Sequence, residues 1–131
     1  MTSLQTTPLR LTTRMAIAIG IVLPLAETIR RANQLLDPAS FMLWFDDYIL
    51  GGLLILAAWR VLHQKKNSLA LLTGVWGIGV GALFLSFLGQ FAYLKTGDPG
   101  LFNATLVAVI KGLILGYMIV GLWLSVRASD R

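Results

Sequence analysis

Six charged residues stand inside, or at the ends of, long apolar runs: Glu27, Arg30, Arg31, Asp46, Asp47 and Lys111. Three are acids and three are bases, so the set is formally neutral. Two kinds of chemistry use such a set. The groups can pair and lock neighbouring helices together, or they can bind an ion, a proton or a zwitterionic solute. Lys111 is the most telling member, because the run 106–117 around it is otherwise apolar. A lysine at the centre of a membrane helix costs about 2.5–3.5 kcal/mol on insertion scales. Its stem can reach toward the interface and lower that cost. A carboxylate from Glu27, Asp46 or Asp47 would offset the remainder.

Other chemistries have less support. The chain has no cysteine, which removes disulfides, thiolate nucleophiles and Cys-ligated metals. One histidine, His63, stands in a basic stretch with Arg60, Lys65 and Lys66, and one histidine does not make a metal site. Ser86 and Ser125 are lone serines in apolar runs and are expected to bond back to a preceding carbonyl. The sequence holds no phosphate-binding glycine loop, zincin helix or nucleophile elbow. We therefore expect no catalytic residue, no cofactor and no enzymatic activity.

The elements that must position the six charges are four apolar segments, about 15–32, 41–62, 69–94 and 102–126. Only 13% of the 131 residues are charged, against about a quarter in soluble domains. A hydrocarbon core of about 30 Å needs about 20 apolar residues in a helix. Each segment meets that length, so the expected class is an all-α integral membrane protein, one four-span domain over 1–131. The helices are expected at about 15–32, 38–62, 69–94 and 99–126, after a short cytoplasmic segment 1–14. A barrel strand would alternate polar and apolar residues, and a soluble core helix would show a polar face. The segments mostly do neither. Glu27, Arg30 and Arg31 follow the first run where a signal peptide would carry small residues at its cleavage site, so that run is expected to be a retained helix.

Charge sets the topology. With Lys111 set aside, Arg10, Arg14, Arg60, Lys65, Lys66, Arg127 and Arg131 fall on one side, and Arg30, Arg31 and Lys95 on the other. The richer side faces the cytoplasm. Short connections make successive helices antiparallel. The expectation is an up-down-up-down four-helix bundle in the cell membrane, with both termini cytoplasmic. The net charge of +5 then fits anionic lipid headgroups and not nucleic acid.

Heights along the helices group the charges. At about 1.5 Å per residue, Glu27 stands ~20 Å above Arg14, Asp46 and Asp47 ~20 Å above Arg60, and Lys111 ~24 Å above Arg127. Arg30 and Arg31 come out at ~24–26 Å. That places one polar layer in the outer half of the bilayer. Asp37 and Asp98 precede prolines and are expected to cap the second and fourth helices outside the core. Pro24 removes a backbone bond beside Glu27 and can bend the first helix near residues 16–20.

Small residues supply a packing mechanism. Gly77 and Gly81 are four apart, as are Ala104, Ala108, Gly112 and Gly116 in succession, a spacing that lets backbones approach in lipid. Contact within one bundle is the first expectation, and a homo-oligomer is the second. Trp44, Tyr48 and Tyr93 fit one interfacial belt and Trp59 and Trp123 the other, while Trp76 and Tyr117 should pack inside. Two functions follow, with an intramembrane enzyme ranked third behind them. One is a non-enzymatic accessory or assembly protein whose partners are the lipid bilayer and a homo-oligomer or larger membrane complex. The other is a small dimeric transporter or channel that uses the charged layer.

Overall fold

A computed structural model describes residues 7–33, 36–38, 41–97 and 102–130, with the backbone alone for 41–44. Among these residues the chain is all-helical: α1 Thr7–Arg30, α2 Phe41–Leu62, α3 Ser68–Gln90, the single turn α4 Tyr93–Thr96, and α5 Ala104–Ser129. Thr7–Arg30, Ser68–Gln90 and Ala104–Ser129 are long and apolar enough to cross a membrane. The 22-residue α2 carries Asp46 and Asp47 near its start and Arg60 near its end.

Three boundaries differ from the sequence expectation by four residues or more, each for a local reason. The first helix starts at Thr7 instead of about residue 15. Leu9, Thr12 and Thr13 are buried there, while Arg10 and Arg14 face out, so the Thr-rich stretch forms the amphipathic first turns of the helix. Thr13 donates to the Leu9 carbonyl at 2.7 Å, which satisfies its hydroxyl within the helix. The third helix stops at Gln90, short of 94, and α4 follows as a separate turn closed by Gly97 at φ 89°. The last helix begins at Ala104, not near 99. Asn103 is its cap, accepting from the Thr105 and Leu106 amides at 2.7 and 3.4 Å. The expected cap Asp98 lies outside the described residues, as does Arg131. Asp37 itself is non-helical, and Pro38 is in a short 3₁₀ turn before the described start of α2.

Each long helix packs on two others: α1 on α2 and α5, and α3 on α2 and α5. The core runs through Leu9, Ala16, Ile19 and Leu23 of α1, and Leu50, Leu54, Ala57, Ala58 and Val61 of α2. It continues through Leu72, Val75, Trp76 and Leu83 of α3 and Met118 of α5. The α2 set recurs at helical spacing, so one stripe of a uniformly apolar helix faces inward. The other faces leave Ile21, Leu25, Ile29, Leu85, Leu113, Ile119 and Trp123 exposed. Apolar surface on this scale is unusual for a soluble monomer, and its natural neighbour is lipid.

Closest approach is made where glycine meets backbone. A Cβ on Gly51 would lie 2.6 Å from the Gly20 carbonyl oxygen and 2.9 Å from Pro24 Cγ. Pro24 has no N–H, so the Gly20 carbonyl lacks its usual partner one turn on. That carbonyl instead points at the Gly51 backbone, and α1 runs unbroken through Pro24. Sequence spacing alone did not mark this pair.

A polar lock ties the helices at the end where α1 and α3 begin. Trp76, fully buried, donates from Nε1 to Thr12 Oγ1 at 2.8 Å, and Thr12 donates to the Gly121 carbonyl at 2.9 Å. Thr73 and Ser125 share a hydrogen bond across α3 and α5. Tyr117 donates to the Met15 carbonyl at 2.8 Å. Ser125 therefore pairs across helices and does not bond back, whereas Trp76 and Tyr117 pack inside, their rings 6.3 Å apart.

Candidate functional site: a charged cavity

At the opposite end from this lock, the end of α1, the start of α2, the end of α3 and the start of α5 surround a cavity of about 310 Å³. Glu27, Arg30, Arg31, Asp46, Asp47 and Lys111 all line it. Leu23, Leu83, Val107, Ile110 and Ile114 give it an apolar wall. The six charges thus share one space, although they are contributed by three helices separated by up to 84 positions (111 minus 27).

Their pairing is not the one expected. Glu27 is only 9% exposed, and Arg30 and Arg31 only 7% each. Arg30 Nη1 donates to both Glu27 oxygens, at 2.8 and 3.0 Å, and Arg31 Nε donates to Oε1. Spacings of three and four residues put all three on one side of α1. The carboxylate is thereby consumed by its own helix, in a pair whose desolvation cost demands such saturation. Lys111 Nζ donates to Gln90 Oε1 at 2.9 Å and to the Ser86 carbonyl at 3.4 Å. Both of these acceptors are neutral groups of α3.

Gln90 is the residue that sequence reasoning missed. It is fully buried, and its Nε2 donates to the Ala104 carbonyl at 3.4 Å. The amide bridges the end of α3 to the start of α5 and offers its oxygen to Lys111. The available signal was its position: a lone amide at the end of an apolar helix.

Asp46 and Asp47 are left to the cavity. Asp46 Oδ1 accepts from the Asp47 amide at 2.9 Å. Among the described residues, no Lys, Arg or His nitrogen lies within 4.0 Å of either carboxylate. Lys111 and Arg30 act on Asp47 only at longer range, and Glu27 faces it with like charge. A hydrogen bond between Tyr48 and Thr28 closes α2 onto α1 beside this pair, and Thr28 also donates to the Pro24 carbonyl at 2.7 Å.

The small residues divide into two groups. Ala104 and Ala108 are buried, and a Cβ on Gly112 would meet the Phe87 ring at 3.1 Å. Gly77, Gly81 and Gly116 have nothing within 4 Å of a Cβ position, so packing inside one chain does not account for these three. His63 lies outside the cavity, exposed at the other end, with Nδ1 2.9 Å from the Trp59 carbonyl. Among the described residues, no three His, Asp or Glu side chains are grouped to hold a metal.

No family model, curated protein or solved structure matches this chain.

Proposed function

We propose that this chain is a four-span membrane protein with antiparallel helices and both termini in the cytoplasm, and that it binds a small solute in its charged cavity. One observation carries the reading: six charged side chains from three helices line a single cavity with an apolar wall. A purely structural layer would have its acids and bases paired with each other, whereas here Asp46 and Asp47 face open volume. Sites of this kind are concave, mostly apolar and supplied with a few convergent polar groups. An ionisable group inside a membrane span is a functional candidate by default.

The membrane arrangement has its own support. The apolar length of α1, α3 and α5 matches the hydrocarbon thickness, and α2 packs between α1 and α3. Thr12 near the start of α1 bonds to Gly121 near the end of α5. Gln90, ending α3, meets Ala104, beginning α5. Arg10, Arg14, Arg60, Lys65, Lys66 and Arg127 gather at the end away from the cavity, which the positive-inside rule assigns to the cytoplasm. The cavity then opens in the outer half of the bilayer.

An assembly role keeps one observation in its favour, the outward-facing Gly77, Gly81 and Gly116. Extraction in a mild detergent followed by native mass spectrometry separates the two. The solute reading expects the chain alone, or as a homo-oligomer, with a bound small molecule that is lost in Asp47→Asn. Stoichiometric partner proteins, with no small molecule retained, would overturn it in favour of assembly.

A further inference from the structure

The cavity's charges are unequal in what they have left to offer. Arg30 and Arg31 are turned onto Glu27, and Lys111 is turned onto Gln90 and the Ser86 carbonyl. The carboxylates of Asp46 and Asp47 accept nothing from a cationic side chain among the described residues. They are adjacent in sequence, and both line the cavity. Neighbouring carboxylates of like charge repel each other, and Asp47 is half-buried beside the apolar wall with Asp46 exposed next to it, so a positive guest gains from both.

The guest's other requirements follow from the wall. Leu23, Leu83, Val107, Ile110 and Ile114 surround the remaining volume. A bare metal ion would find no cluster of three acidic or histidine ligands among the described residues. It would also leave the apolar wall unused. An anion would meet two carboxylates that no Lys or Arg nitrogen among the described residues contacts within 4.0 Å. About 310 Å³ is at the small end of the range for ligand pockets, enough for a single ring with a short side chain.

Resting on the solute-binding reading above, we infer that the cavity takes a lipophilic ammonium ion, its charge against Asp46 and Asp47 and its apolar body against α3 and α5. The N–H groups of a primary ammonium match carboxylate oxygens as charge-assisted hydrogen bonds. The aliphatic side chains of Leu83, Val107 and Ile110 then exclude water from the organic part.

The test is isothermal titration calorimetry on the full chain in phosphatidylcholine nanodiscs. Three probes of like size are used: 2-phenylethylammonium, 2-phenylethanol and 3-phenylpropanoate. The inference expects the ammonium to bind at least tenfold more tightly than the alcohol and more tightly still than the carboxylate. Asp47→Asn should lower ammonium affinity at least tenfold, and Asp47→Glu should keep most of it. Circular dichroism confirms that each variant is folded, and Asp46→Asn serves as the independent second variant. Tighter binding of 3-phenylpropanoate would leave the cavity as a solute site and overturn the ammonium assignment. So would ammonium affinity that is unchanged in both Asn variants. If none of the three probes binds, the solute-binding reading itself falls, and the inference with it.

Discussion

Adding one methyl group at Gly121 should weaken the protein, although the same change usually strengthens a helix. A Cβ there would lie 2.5, 2.6 and 2.7 Å from Cζ2, Cη2 and Cε2 of Trp76. The indole cannot swing aside freely, because it is fully buried and its Nε1 holds Thr12 at 2.8 Å. Overpacking of this kind costs about 1–3 kcal/mol. A displaced indole also strains the Thr12 bonds to Trp76 and Gly121, each contributing about 0.5–1.5 kcal/mol. Against this, alanine in place of a mid-helix glycine returns about 0.5–1 kcal/mol of backbone entropy. The net expectation for Gly121→Ala is a loss of about 1–3 kcal/mol. Gly116→Ala is the internal control. It stands on the same helix with nothing within 4 Å, so it should be neutral or gain about 0.5–1 kcal/mol. Reversible unfolding in mixed micelles, followed by circular dichroism, reads both. Equal effects at the two glycines, or a stabilised Gly121→Ala, would refute the packing of α5 on Trp76.

Three further outcomes follow from the polar contacts. Glu27→Gln leaves two buried guanidiniums without this counter-charge, and breaking such a pair costs about 3–5 kcal/mol. A sharply lowered melting temperature in detergent is expected. Gln90→Leu removes the 2.9 Å acceptor of Lys111 and should cost about 1–3 kcal/mol. Adding Lys111→Met should recover much of that loss in a double-mutant cycle, and strict additivity would contradict the contact. Thr12→Val strands the Trp76 Nε1 donor and should cost about 1–3 kcal/mol, read as a lowered unfolding midpoint with red-shifted tryptophan emission.

The helical class was legible in the long apolar runs with few charges, of which three form helices long and apolar enough to cross a membrane. That Glu27, Asp46, Asp47 and Lys111 fall near one another was legible too, since rise per residue is fixed once an anchor is chosen, and all four line one cavity. Who pairs with whom was not. Glu27 has two bases within one turn, and local reach along a helix prevails over partners on other helices. Lys111 found Gln90 because an amide at a helix end can serve a lysine and a backbone carbonyl together. The small-residue pattern divides for a related reason: four-residue spacing marks a face but not what covers it, and Ala104, Ala108 and Gly112 pack inside the chain while Gly77, Gly81 and Gly116 do not. Among the described glycines, an added Cβ would meet its nearest neighbours at Gly121, against Trp76, and at Gly51 and Gly20, against each other's helix, and none of these follows that pattern. Thr12 and Thr13 fall in the segment 1–14 expected to precede the first helix, yet each is hydrogen-bonded and buried within the bundle.

The central claim is that the charged cavity faces outward from a membrane-embedded bundle, and the chain's lack of cysteine makes a direct measurement clean. Ser86 lines the cavity and Ser129 ends α5 at the other side. Single variants Ser86→Cys and Ser129→Cys in intact cells are treated with a membrane-impermeant thiol reagent, before and after permeabilisation. The account predicts that Ser86→Cys is modified from outside and Ser129→Cys only after permeabilisation. Modification of Ser129→Cys in intact cells, with Ser86→Cys reached only after permeabilisation, would contradict it.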